Sequence, residues 1–180
     1  MKKKISLLGI ALTLVAFVGV SATLAWLVAS SRTVTNTFTA GNIEITLTES
    51  TGNSYKMIPG TTVRKDPTVT VKGGSDTCWL FFKVEEADGF EAYMTYEPDA
   101  GWTSLEGVKG VYYREVEKAE GDSAFSILKN NAVTVKDTVT EEQLKDLEQN
   151  PSLRFTAYAI QKEGNETVAI AWKNLLVKEE

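Results

Sequence analysis

The chain has 180 residues, with 24 acidic against 19 basic side chains, one cysteine and no histidine. Without imidazole there is no Ser-His-Asp or Cys-His catalysis, no His-ligated zinc and none of the usual general base near neutral pH, so an enzyme is not expected. The acidic balance argues against nucleic acid and anionic lipid headgroups as partners, and a lone cysteine excludes an intramolecular disulfide.

The N-terminus carries Lys2-Lys3-Lys4, followed by 27 uncharged residues from Ile5 to Ser31. Thr23-Leu24-Ala25 places small residues at the −3 and −1 positions of a cut between Ala25 and Trp26. A basic start, an apolar stretch and a small-residue exit form a secretory signal, so the chain is expected to be exported. Residues 1–25 then leave as a signal peptide and 26–180 form the mature protein. The uncharged span also exceeds the roughly 20 residues that cross a bilayer, so an uncleaved anchor is the alternative. With the three leader lysines gone, 16 basic residues face 24 acidic ones, a net charge of −8.

From Val34 to Glu49, Phe38, Ile43, Ile45 and Leu47 alternate with Thr, Glu and Asn, which predicts two strands broken near Ala40-Gly41-Asn42. Ser50–Ser54 reads as a turn and Pro59-Gly60 as a stop. Val63–Val71 predicts a strand with Pro67 at its start or edge, and 73–76 a turn. Cys78–Glu85 is the most hydrophobic strand, with Cys78 itself a small core residue. Further strands are predicted over 92–96 and 111–117, on either side of a loop plugged by Trp102.

Ser126–Lys129 and Ala132–Val135 flank a turn at Asn130-Asn131. Thr140 opens a short helix with Gln143 three residues on, a capping box, and Pro151 follows its end. Leu153–Gln161 is a strand. Between Asn165 and Lys178, Val168, Ala169, Trp172, Leu175 and Leu176 form a helical stripe. Many short strands, one or two short helices and no linker describe one mainly β domain, a sandwich or barrel.

Three patterns invite functional readings. The acidic clusters Glu85-Glu86-Asp88 and Glu115-Glu117-Glu120 lack the spacing of a calcium loop and read as solvated acid. Tyr93, Tyr96, Trp102, Tyr112 and Tyr113 read as core and cross-strand pairs before a sugar platform. Asn165-Glu166-Thr167 is a glycosylation triplet. No metal site or cofactor is expected.

The leader, with Ala25-Trp26-Leu27 behind it, and Asn36-Thr37-Phe38-Thr39-Ala40-Gly41-Asn42-Ile43-Glu44-Ile45 together resemble the TasA/camelysin family of exported Gram-positive proteins. Ile58-Pro59-Gly60, leading into Lys65-Asp66-Pro67-Thr68-Val69-Thr70-Val71 and a Gly-Ser turn, extends the resemblance over the first 85 residues. The leader departs from the family at Trp26-Leu27-Val28-Ala29, which has one aromatic and no following acid. The resemblance implies processing by a SipW-type signal peptidase and a single-domain, jelly-roll-like antiparallel β-sandwich. It also implies secreted fibres of the biofilm matrix, in which an N-terminal strand completes the sheet of the next subunit. Residues 26–38 are then the candidate donor strand, with Val34 and Phe38 as its anchors and further copies of the chain as its partners. The other reading of that segment is the first strand of its own domain. The alternative function is a membrane-anchored, monomeric surface module that binds a glycan or a protein, with the membrane touched only through an uncleaved leader.

Overall fold

The computed structural model describes residues 28–30, 36–51, 54–147 and 150–177. Among them the chain forms β1 (Val28–Ser30), β2 (Asn36–Ala40), β3 (Ile45–Thr48), β4 (Ser54–Lys56), β5 (Thr62–Arg64), β6 (Thr68–Val71) and β7 (Cys78–Glu86). It continues with α1 (Phe90–Tyr93), β8 (Met94–Pro98), β9 (Thr103–Ser104), β10 (Val111–Val116), β11 (Ser123–Ser126), β12 (Leu128–Val135), α2 (Glu141–Lys145), β13 (Leu153–Gln161) and α3 (Val168–Leu176). The protein is mainly β, a sandwich, one of the two architectures that the strand pattern allows. A five-stranded sheet in the order β2-β13-β7-β10-β9 faces two three-stranded sheets, β11-β6-β3 and β5-β12-β8, while β1 pairs with β4. The ladders are antiparallel except β2 with β13, which is parallel.

Alternation explains which residues fill the sandwich. Ile45 and Leu47 of β3, Val69 and Val71 of β6, and Val133 and Val135 of β12 point inward. They meet Leu80, Phe82 and Val84 of β7 and Phe155, Ala157 and Ala159 of β13. The outer face of the large sheet is covered as well. There Phe81, Val111, Tyr158 and Ile160 pack under Ala171, Trp172 and Leu175 of α3. Burial on both faces is why 78–82 in β7 and 157–160 in β13 read as continuous apolar runs, as strands of a covered sheet do. Trp172 lies 5.2 Å from the Phe81 ring and 5.3 Å from Tyr158.

The helix signals act through named atoms. The Thr140 side chain accepts from the Gln143 amide while the Gln143 side chain accepts from the Thr140 amide, the full capping box. Thr167 caps α3 by accepting from the Ile170 amide at 3.3 Å. Pro67 sits immediately before β6, where its missing N–H costs no ladder bond, and its carbonyl accepts from Ile127 at 2.9 Å. Trp102 plugs its loop by donating to the Ser126 carbonyl at 2.7 Å and meeting Phe82 edge-on at 4.8 Å.

Two predicted elements are corrected. The strand over 92–96 starts at Met94 instead, because residues 90–93 coil into α1. The left-handed Gly89 (φ 78) starts that turn and buried Phe90 anchors it. This gives a third helix beside the two expected. Asn130 and Asn131 do not separate two strands. They lie inside β12 at φ 55 and 52, where the register with β8 shifts between Leu128 and Val133. Asn tolerates this left-handed conformation. Here it turns the Asn131 carbonyl to the Lys65 amide (2.8 Å) and its side chain to the Ser126 hydroxyl (2.6 Å).

Candidate functional site at the sheet edge

The sequence places candidate assembly residues around the export site and the first strand. Ala25, Trp26 and Val34 lie outside the described residues. Phe38 falls in β2, opposite Tyr158 in a ladder running from Asn36–Thr156 to Ala40–Ile160. Residues 36–40 therefore occupy the sheet of their own chain.

Three features make this edge distinct. First, β2 ends the five-stranded sheet, so one side of its backbone faces no further strand of that sheet, the arrangement that invites pairing with another chain. Second, β13 has a separate nine-residue ladder with β7 on its other edge. Third, the link from β2 to β3 is only residues 41–44, and it begins at Gly41 with φ 102. A Cβ there would stand 2.4 Å from the Gln161 Oε1 atom, so the chain turns where only glycine fits.

The other candidates do not converge on one site. Glu85 pairs with Lys83 at 2.8 Å, Glu86 accepts from the Tyr96 hydroxyl at 2.8 Å, and Asp88 is exposed in a turn. Glu115 pairs with Lys162, while Glu117 and Glu120 are exposed. Among the described residues, no three His, Cys, Asp or Glu side chains lie close enough to hold a metal ion. The aromatics divide between the two faces of the large sheet: Tyr112 and Tyr93 pack on the sandwich core, Tyr113 on the layer beneath α3. Asn165 is buried, donating to the Gln161 carbonyl at 2.9 Å and accepting from Asn174 at 2.8 Å. Its amide nitrogen is thus engaged inside the fold.

Cys78 is fully buried at the start of β7, and burial pushes its thiol from 9.0 up to about 12. Only the thiolate reacts. The native protein is therefore expected to resist iodoacetamide at about pH 8 and to be alkylated once denatured; rapid labelling of the folded form would contradict this burial. The pH dependence follows. The unfolded thiol loses its proton near pH 9 and the folded one holds it to about 12. Stability from this group is therefore full below pH 9 and falls by about 1.4 kcal/mol per pH unit across that window.

Two charged sites escaped the sequence reading. Lys65 and Glu49 form an ion pair at 2.6 Å with side chains only 3% and 5% exposed. Arg114 lays its guanidinium over Phe125 (3.8 Å) and Trp102 (5.5 Å), with Nε buried and lacking a hydrogen-bond partner. Desolvation lowers its pKa from the ordinary arginine value. Among the described residues no helix is long and apolar enough to cross a membrane. No family model, curated protein or solved structure matches the chain.

Proposed function

We propose that the chain is an exported structural protein of the cell surface or biofilm matrix, which assembles when its N-terminal strand leaves its own sheet for the equivalent slot of a neighbour. The observation that carries this reading is the placement of β2, a short edge strand whose one neighbour in its sheet, among the described residues, is β13, in a parallel ladder. Exchange re-forms in the neighbour the same main-chain bonds that it breaks, so its net free-energy cost is small. The 41–44 link is a short hinge of the kind that favours strand swapping. An extended segment adds to a vacated edge through main-chain bonds, with alternate side chains giving specificity. Such a head-to-tail contact does not close on itself, so it propagates as a filament.

The test is electron microscopy and size-exclusion chromatography of purified residues 26–180. Filaments are expected, and deleting 26–38 should abolish them while leaving a folded or capped monomer. If residues 26–180 stay monomeric at high concentration and the deletion variant unfolds, β2 is an internal strand and the proposal fails. N-terminal sequencing of secreted material is expected to begin at Trp26. Monomeric protein with an intact Met1 in the membrane fraction would instead support an anchored surface module.

A further inference from the structure

Far from β2, a groove of about 340 Å³ opens between α1, β8 and the Tyr112 position of β10. Its walls combine three aromatic rings with unequally satisfied charges. Tyr112 stacks one face on buried Phe82, with ring centres 4.8 Å apart and planes 16° apart, which leaves the other face to the groove. Phe90 and Tyr96 meet edge to face at 5.9 Å. The Tyr96 hydroxyl donates to Glu86 Oε1 at 2.8 Å. Burial, and then the Glu86 carboxylate, push that phenol upward, so it stays a donor.

One cation, Lys136, lines the groove beside two carboxylates, Glu86 and Glu91. Lys136 donates to the Glu91 carbonyl, and Lys109 pairs with the Glu91 carboxylate at 3.3 Å. Glu86 has no cation paired to it among the described residues. A carboxylate held by a phenol beside the half-buried Tyr112 ring is complementary to an ammonium group, which gains from the ring quadrupole and from the charge together. A neutral sugar would use the rings but leave the Glu86 charge uncompensated. The acidic balance of the chain also draws cations toward it.

We infer that this groove binds a lysine side chain of a basic partner protein, with the ammonium seated between Glu86 and the Tyr112 face and the aliphatic stem against Phe90 and Met94. The inference does not rest on strand exchange, since β10 and β2 are separated in the sheet by β13 and β7.

The experiment is calorimetric titration of the full chain with a pentalysine peptide, and in parallel with a neutral maltohexaose. Saturable, salt-sensitive binding of pentalysine is expected, with no binding of the saccharide. Glu86→Gln and Tyr112→Leu should each weaken it about tenfold. Tyr112→Phe, which keeps the ring, and Glu115→Gln, a carboxylate outside the groove, should leave it unchanged. Thermal melts check that each variant folds. If Tyr112→Leu does not fold, Glu86→Gln decides. Pentalysine binding that survives Glu86→Gln, absence of saturable binding, or saturation by the saccharide alone would each overturn the inference.

Discussion

Lys65→Met is expected to destabilise the fold by about 3–5 kcal/mol, because it removes the ammonium that faces the buried Glu49 carboxylate at 2.6 Å. The pair sits at 2.6 Å with both side chains nearly inaccessible. The Lys65 ammonium lies 5.9 Å from the Tyr55 ring centre and 5.8 Å from that of Phe155. Thr51 and Tyr55 direct their hydroxyls at the same Glu49 oxygen, at 3.3 and 3.4 Å. Removing one charge takes the nearest counter-charge from the other at a place almost closed to water. Glu49→Gln should cost a similar amount, since the buried ammonium then loses the carboxylate at 2.6 Å. The double replacement Lys65→Met with Glu49→Leu should recover most of the loss, falling short by about 1–3 kcal/mol for hydroxyls left without their acceptor. Urea unfolding of the two single variants and the double variant reads all three values. Single-variant losses below about 1 kcal/mol would mean that water reaches the pair and that it behaves as a surface bridge.

Lys65 also shows how far the fold was legible. Val63, Lys65, Pro67, Val69 and Val71 are all buried, an unbroken period of two across β5 and β6. The alternation that runs through Val69 and Val71 points Lys65 inward as well. Its charge masks the signal, because an inward lysine makes sense only once Glu49 is known to meet it, and that meeting is set by the pairing of β3 with β6. The apolar run of β7, the strand β13 and the Thr140 cap were legible because each depends on neighbours in sequence. The parallel seat of β2 against β13 was not, because main-chain hydrogen bonding is the same for every residue and carries no address. The groove was hidden for a related reason. Its lining runs from Glu86 to Lys136, and only the register of β10 on β7 brings Tyr112 over Phe82. The tyrosines were recognised as cross-strand pairs, yet the free face that such a pair leaves cannot be read from spacing. One-turn α1 lay below the length at which helical periodicity shows.

The largest cavity effect should fall at Phe82, where alanine is expected to cost about 3–5 kcal/mol. Phe82 is fully buried and its ring touches Trp102 edge-on at 4.8 Å, Tyr112 face-on at 4.8 Å and Phe155 at 6.5 Å. Such pairs add about 0.5–1.5 kcal/mol beyond burial. The cost of a cavity depends on how well its walls can collapse, and here they cannot. The β7 backbone is fixed by β13 on one side, where Phe82 faces Ala157, and by β10 on the other, where it faces Tyr112. Trp172→Ala removes a larger side chain but should cost less, because α3 lies on one outer face and is free to settle toward Phe81 and Tyr158. Urea unfolding of the two variants should therefore place Phe82→Ala below Trp172→Ala in stability. The reverse order would assign the dominant core to the α3 layer instead of the sandwich. Phe82→Leu, which fills most of the volume, should retain the fold at a cost of about 1.5 kcal/mol, yet it withdraws the flat support under Tyr112. That variant should weaken pentalysine binding without unfolding the protein, because an aromatic platform binds a cation only while its own ring is held in place.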